Sequence, residues 1–153
     1  MPSLANDAWE ALLTAHAAVM KQFAAEDTWT DVSMREYDVL YTLSKCPGPQ
    51  RISDLNRHVL LSQPALSRLL DRLAERGLVE RRADPADGRG VRLALTAAGR
   101  DLQRGIGRRH ARDVAHALTA GLTSAELAQL EALCRKLAAA PMTARDVNEV
   151  PIP

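Results

Sequence analysis

Aromatic residues and cysteines are scarce in this sequence. Phe, Trp and Tyr make up 3% of the 153 residues, while Ala and Leu dominate the apolar residues, a composition that favours a mainly α-helical fold. The two cysteines, Cys46 and Cys134, form neither a C-x-x-C pair nor a metal-ligand spacing, so we expect reduced structural thiols. No stretch approaches the roughly 18 uncharged apolar residues of a membrane span, and the first residues lack a secretion signal. We therefore expect a cytoplasmic protein with no membrane partner.

The sequence also lacks the usual marks of catalysis. Its four histidines do not show the i, i+4 spacing of metal ligands, and no Gly-rich phosphate loop or nucleophile motif is present. We predict that the chain is not an enzyme and needs neither a metal nor a cofactor.

The formal net charge is only +1, but the charges are unevenly distributed. Residues 51–112 carry 14 basic residues, all of them Arg, against seven acidic residues, whereas both flanking segments are net acidic. Arg can bind phosphate or a guanine edge through two parallel hydrogen bonds. The middle of the chain is therefore the candidate nucleic-acid-binding part.

Two helices are predicted before the basic segment. The first covers residues 7–25, where apolar residues recur at spacings of three and four. The second begins after Ser33, which with Glu36 has the pattern of a capping box, and ends before Pro47. Four of its residues are expected to lie on one face: Tyr37, Leu40, Tyr41 and Leu43.

The basic segment shows the pattern of a helix-turn-helix followed by a hairpin. A short helix near Leu55 precedes a longer one that starts at the N-cap Ser62 and stops at Gly77, the residue expected at a left-handed cap. Alternating residues at 78–82 and 91–95, around a turn-rich tip, then predict a β-hairpin wing.

Two further helices complete the pattern. A long helix over about 97–119 is capped by Thr96, and a final helix opens at a capping box formed by Thr123 and Glu126. The tail after Pro141 shows no pattern.

Three segments carry a resemblance to a known family. They are Leu61-Ser-Gln-Pro-Ala-Leu-Ser-Arg-Leu-Leu-Asp-Arg-Leu, Asp87-Gly-Arg89 and Leu95-Thr-Ala-Ala-Gly99. With them the chain resembles the MarR family of transcription regulators, closely from about Ser33 to Gly99 and more loosely on both sides. The resemblance implies a homodimer that binds a pseudo-palindromic double-stranded DNA operator, usually as a repressor. It also implies release of the operator when a small aromatic or phenolic effector binds.

The expected architecture is mainly α with a small β-hairpin wing, in a single domain of residues 1–153. A winged helix-turn-helix core at 33–99 is flanked by dimerisation helices at 7–25 and 97–140, and residues 141–153 form a tail. The apolar residues of the flanking helices exceed what one small winged domain can cover, which predicts an obligate or near-obligate dimer. These residues are Trp9, Leu12, Leu13, Val19, Leu102, Ile106, Leu127, Leu130, Leu133 and Leu137.

The longer helix of the helix-turn-helix is the predicted recognition helix. Its face opposite the buried leucines should enter the major groove, with Arg68 as the base-reading residue. Arg72, one turn further along, is expected to contact the DNA backbone. The other predicted DNA contacts on this helix are Ser62, Gln63, Pro64 and Ser67.

The wing adds a second predicted contact. Arg89 stands where the resemblance places a minor-groove arginine, and Asp87 is positioned to orient it. Gly88 replaces a cation that many family members carry, which predicts a weaker wing contact. Asn56 replaces a small Ala that is usual in the family, so the packing between the two helices of the helix-turn-helix is expected to differ.

The effector site is implied only by the resemblance, which places it between the first two helices and the start of the long helix. Residues there that offer hydrogen bonds and ring faces are Trp9, His16, Tyr37 and Tyr41, with Arg35 and His110 as further candidates. Each of these residue types also commonly fills a core or an interface.

Two alternatives stay open. A winged helix that binds another protein would have the same fold, although it would not need Arg at both the recognition face and the wing tip. A thiol-based redox regulator would have to use Cys46 or Cys134, and only Cys134 has neighbouring cations, Arg135 and Lys136, that favour a reactive thiolate.

Overall fold

The described residues divide into two units, with the boundary between residues 115 and 116. The computed structural model describes residues 2–59 and 61–140, without the side chains of Pro2, Gly88 and Arg89; the predicted tail lies outside the described residues. A 3₁₀ turn at Asp27–Trp29 follows the first helix. The helices are α1 (Pro2–Ala24), α2 (Met34–Lys45), α3 (Ile52–Asn56), α4 (Gln63–Glu75), α5 (Ala97–Thr119) and α6 (Ser124–Ala139). The strands are β1 (Gln50–Arg51), β2 (Val79–Asp84) and β3 (Asp87–Leu95).

Local capping signals mark several of the helix ends in the described residues. Ser33 Oγ accepts a hydrogen bond from the Glu36 N–H at 3.3 Å, and Glu36 Oε2 accepts one from the Ser33 N–H at 2.8 Å, which confirms the predicted capping box of α2. Gly77 has φ +68°, the left-handed conformation expected after α4. The predicted start of α1 at residue 7 is wrong. The helix begins at Pro2, because proline is well suited to a first helical turn.

The wing is a three-stranded antiparallel sheet in the order β1-β3-β2. The sequence predicted only the hairpin of β2 and β3, and it placed both strands short of the tip. The third strand, β1, pairs Gln50 with Leu93 and Arg51 with Arg92. Because α3 begins directly after β1, the sheet is connected to the first helix of the helix-turn-helix.

An aliphatic core lies between α2, α3, α4, the sheet and the first part of α5. Tyr37, Leu40 and Leu43 of α2 are buried, and Val39 is buried with them. Tyr41, which was predicted on the same face of α2, is 43% exposed. Ile106, predicted for the dimer surface, is only 1% exposed and belongs to the core. The other fully buried members include Leu55, Leu66, Leu70, Leu73 and Leu93.

The start of α5 is tightly attached to the root of the wing. Thr96 Oγ1 accepts a hydrogen bond from the Gly99 N–H at 2.9 Å and donates one to the Gly77 carbonyl at 2.7 Å, which confirms Thr96 as the cap. Gly99 lies against the Leu78 backbone, and a Cβ at residue 99 would stand 2.8 Å from the Leu78 carbonyl carbon.

The second unit contains the end of α5 and all of α6. Its predicted capping box is confirmed, because Thr123 Oγ1 accepts from the Glu126 N–H and Glu126 Oε2 accepts from the Thr123 N–H. The hydrogen bonds that the Thr123 N–H and the Thr123 hydroxyl donate to Glu126 Oε2 hold the pKa of Glu126 below its usual value. No residue of α6 is buried in the described part of the chain, and Leu133 and Leu137 are 65% and 63% exposed.

Candidate DNA-binding surface and adjacent cavities

The recognition helix α4 has one apolar face and one polar face. Ser62 is its N-cap, with Oγ accepting from the Ala65 N–H at 3.4 Å, and Pro64 occupies the first turn. The leucines at 66, 69, 70 and 73 are buried in the core. Their spacing by three and four residues leaves the opposite face of the helix free of the core.

Six of the predicted DNA-contact residues lie together on α4 and its cap. Arg68 and Arg72 are exposed, and within the described residues neither side chain is engaged in a hydrogen bond or an ion pair. Arg side chains without a protein partner form a surface suited to anionic ligands, and Arg72 lies in the last turn of α4. The remaining four predicted residues are Ser62, Gln63 and Pro64, which are exposed, and Ser67, which is half-buried.

An ion pair connects the recognition helix to the wing. Asp71 on α4 forms an ion pair with Arg81 on β2, and both side chains are partly exposed. Within β2, Arg82 forms an ion pair with Glu80. These two wing arginines are therefore neutralised by the protein itself, in contrast to Arg68 and Arg72. The sequence analysis did not foresee this difference, because it depends on which carboxylates the fold brings near.

The predicted wing residues lie on β3. Asp87 is exposed. Arg89 belongs to β3 as well, and its side chain lies outside the described part of the structure. The predicted orientation of Arg89 by Asp87 therefore stays a prediction.

A buried carboxylate at the tip end of strand β2 was missed by the sequence analysis. Asp84 accepts hydrogen bonds from Arg51 Nε at 2.6 Å and from the Ala86 N–H at 3.0 Å, and Arg92 Nε lies 3.0 Å from its second oxygen. The hydrogen bond from Ala86, together with the two guanidinium groups, holds the pKa of Asp84 below its usual value. The only sequence signal was an Asp two residues before a turn N–H, a common turn pattern.

The predicted change at Asn56 has a structural counterpart. The Asn56 Oδ1 atom is buried and, among the described residues, has no hydrogen-bond partner. Asn56 ends α3.

Three cavities of the described residues are lined by α2, and two of them contain most of the predicted effector residues. The first, of about 480 Å³, is lined by His16 of α1, by Arg35 and Tyr41 of α2, and by Val59 and Leu61 of the turn before α4. His58 of the same turn also lines it. An anionic group in this cavity would have three nitrogen-bearing side chains around it, and the Asp38 carboxylate lines the same cavity.

The second cavity, of about 420 Å³, lies between α2 and α5. Tyr37 and Tyr41 line it with His110, and burial raises the pKa of the Tyr37 hydroxyl. The His110 ring packs against Phe23 and Trp29, with ring centroids 4.9 and 5.1 Å apart.

The effector residues predicted from the sequence are thus divided between the two cavities. His16 and Arg35 line the first cavity, Tyr37 and His110 the second, and Tyr41 both. Trp9 is 57% exposed on α1 and lines neither cavity among the described residues.

Two comparisons relate this sequence to known proteins. A profile described as the MarR family matches residues 30–90. The chain is also 34% identical, over 107 residues, to the multiple antibiotic resistance protein MarR of Salmonella typhimurium, an alignment that covers 70% of this chain and 74% of that protein. The chain belongs to the MarR family. Its winged-helix fold is that of the MarR-family transcription regulators.

Solved MarR-family structures agree with this assignment. A mutant MarR from E. coli complexed with operator DNA superposes with a TM-score of 0.72 at 27% identity, covering 84% of this chain and 91% of that one. The PcaV transcriptional regulator from Streptomyces coelicolor, in complex with its natural ligand, gives a TM-score of 0.63 at 29% identity, covering 84% and 87%. In this MarR-family chain, no described helix is both long enough and apolar enough to span a membrane.

Proposed function

We propose that this MarR-family chain is a sequence-specific DNA-binding regulator that acts as a homodimer on a pseudo-palindromic operator. The observation that carries the proposal is the pair of exposed, unengaged arginines on α4, Arg68 and Arg72. A helix N-terminus followed by such arginines suits the major groove, where Arg can bind a guanine edge. The E. coli relative complexed with operator DNA supports the same use of the fold.

The test begins with selection of binding sites from a random double-stranded DNA pool, using the full chain. Enrichment of a two-fold symmetric sequence supports the proposal. An unenriched pool would contradict it, and a winged-helix protein-binding module would then be the better interpretation.

Arg68→Ala is expected to weaken binding to the selected operator by about 1–3 kcal/mol and to relax preference at one position in each half-site, as for loss of a base contact. Arg72→Ala should instead weaken binding to all sequences alike and reduce the salt slope by about one, because we assign it to phosphate. Fluorescence anisotropy on operators varied at each position checks both, with melting temperature as the fold control. Unchanged sequence preference in Arg68→Ala would remove the base-reading assignment.

The dimer is proposed from uncovered apolar surface in each unit. In the first unit, α1 exposes Leu4, Trp9 and Leu13, and in the second, α6 exposes Leu133 and Leu137. Monomeric proteins rarely leave such contiguous apolar faces in water. A second copy of the chain is the partner that a two-fold symmetric operator requires.

We assign the effector to the first cavity. Its wall includes Val59 and Leu61, which stand directly before the N-cap of the recognition helix. A ligand that fills it would contact both α2 and this turn, so its binding could shift α4 relative to the core. The cavity volume suits a small aromatic molecule. Arg35 has no ion pair within the described residues and can bind an acidic group of the ligand.

The probe is salicylate, a small phenolic acid, and the measured quantity is the salicylate concentration that releases half of the bound operator. Arg35→Ala is expected to raise this concentration about tenfold, because a charge-assisted hydrogen bond is lost. The matched control is Lys21→Ala, which removes a cation of α1 that does not line the cavity. Release measured by anisotropy should be unchanged in the control. Equal shifts in both variants would show a general charge effect and contradict the assignment.

A redox switch is less well supported by the structure. Burial raises the pKa of the Cys46 thiol, whose Sγ–H donates to the Thr42 carbonyl. Near the exposed Cys134, the Arg135 guanidinium is engaged by Glu131 at 2.7 Å. Neither environment favours a reactive thiolate.

A further inference from the structure

The Asp84 side chain is completely buried, although it lies at the end of a wing strand. A buried carboxylate is costly unless several donors satisfy it. Here Arg51 Nε of β1 and the Ala86 N–H that follows β2 donate hydrogen bonds to it, and Arg92 Nε of β3 forms an ion pair with it at 3.0 Å. The carboxylate therefore joins parts of the wing that are far apart in sequence.

The strand register explains why a carboxylate is needed there. Arg92 of β3 pairs with Arg51 of β1 on one side and with Arg82 of β2 on the other. Three arginines thus occupy one row across the sheet, where like charges directly opposite each other destabilise the pairing. Asp84 neutralises two members of this row, and Glu80 neutralises the third.

The same residue marks the place where the hairpin becomes irregular. Ala83 pairs with Val91, but the next residue of β2, Asp84, pairs with Asp87. Residues 88–90 of β3 therefore have no partner on β2 and form a bulge. Gly90 closes this bulge against Asp84, since a Cβ at residue 90 would lie 3.0 Å from the Asp84 Cβ. Arg89, the predicted minor-groove residue, is in the middle of the bulge.

Arg51 extends the connection to the helix-turn-helix. It is the N-cap residue of α3, the helix that precedes the recognition helix. The ion pair of Arg51 with Asp84 therefore links the tip of the wing to the beginning of the helix-turn-helix.

We propose that Asp84 is a positioning residue, which holds the bulge at 88–90 in one conformation relative to the helix-turn-helix and so pre-organises the wing for DNA. This inference rests on the proposed function. Asp84 contacts no DNA itself, because its side chain is buried. Its contribution to affinity comes from reducing the conformational freedom that the bulge would lose on binding.

The first test is a double-mutant cycle between Asp84→Asn and Arg89→Ala on the selected operator. Asp84→Asn keeps the side-chain volume and removes the charge. We expect it to weaken operator binding about tenfold, and Arg89→Ala to weaken it about tenfold or more with a flatter salt dependence. The double variant should bind no more than about twofold more weakly than Arg89→Ala alone, because the wing contact is already lost.

The matched control is Glu80→Gln, which removes one negative charge from the exposed part of the same wing. Removal of a negative charge by itself strengthens attraction to DNA, so Glu80→Gln should bind as well as the unaltered chain or better. Additive losses in the double variant, or no loss in Asp84→Asn, would overturn the proposal.

Hydrogen exchange provides a readout that does not depend on DNA. In Asp84→Asn, amides of residues 86–90 should exchange at least about tenfold faster, while those of α2 and α4 keep their protection. Loss of protection throughout the core, or unchanged exchange at the tip, would contradict a positioning role. If the unaltered chain selects no operator, the proposed function fails, and the exchange result still decides whether Asp84 holds the bulge. If the chain binds its operator and only Arg89→Ala weakens binding, the proposed function stands and this inference fails.

Discussion

Combined substitution of Leu133→Glu and Leu137→Glu is expected to convert the protein to monomers and to reduce operator affinity at least about a hundredfold. Both leucines are more than 60% exposed in the chain, so charging them should leave the unit itself folded. In a two-fold symmetric dimer each substitution occurs twice, and the added carboxylates would be buried in the interface. A monomer binds one half-site and loses the gain from linking two recognition helices, which commonly reaches 10²–10⁴.

Analytical ultracentrifugation and anisotropy on the selected operator measure the two effects, with circular dichroism as the fold control. Ala128→Glu, also exposed but on the side of α6 opposite both leucines, adds charge to the same helix outside the proposed interface. It should leave both the dimer and the affinity unchanged. If the double leucine variant remains a dimer, α6 does not form the interface.

Gly99→Ala is expected to destabilise the fold by about 3 kcal/mol, the upper part of the usual range for overpacking. The added Cβ would lie 2.8 Å from the Leu78 carbonyl carbon and closer still to its oxygen. The obstacle is backbone, which cannot move away as a flexible side chain would. Relief would require α5 to separate from the start of the wing, at the cost of the hydrogen bonds from the Thr96 hydroxyl to the Gly77 carbonyl and from the Thr96 N–H to the Leu78 carbonyl.

Gly105→Ala is the matched control for this prediction. It makes the same change in the same helix, and the new Cβ would meet nothing within 4 Å in the described chain. Alanine should therefore stabilise α5 by about 0.5–1 kcal/mol. Urea denaturation followed by circular dichroism gives both values. Two variants of equal stability would show that the contact between Gly99 and Leu78 is not a constraint.

The sequence predicted those structural features that depend on residues three or four positions apart. Local spacing predicted the capping boxes at Ser33 and Thr123, the C-terminal cap at Gly77 and the buried leucines of α4. The polar face of α4 follows from the same periodicity, since a helix that buries one face must expose the other. The predicted contacts of this face with DNA remain proposals.

Features that depend on distant residues could not be read in this way. Strand β1 has two residues and no pattern of its own, and it exists only because Arg51 and Gln50 meet β3. The Asp84 cluster combines residues 33 positions apart, and the division of the effector candidates between two cavities depends on how α2 packs against α1 and α5.

The sequence by itself determined the order of the helices, their caps, the wing hairpin and the concentration of arginine around it. The tertiary structure decided which of those arginines are engaged by carboxylates and which are not: Arg51, Arg81 and Arg92 have acidic partners, whereas Arg68 and Arg72 have none among the described residues. The physical reason is that helix caps and periodicity are interactions between neighbours in the chain, while the neutralisation of a charge depends on whatever group the fold places within a few ångströms of it.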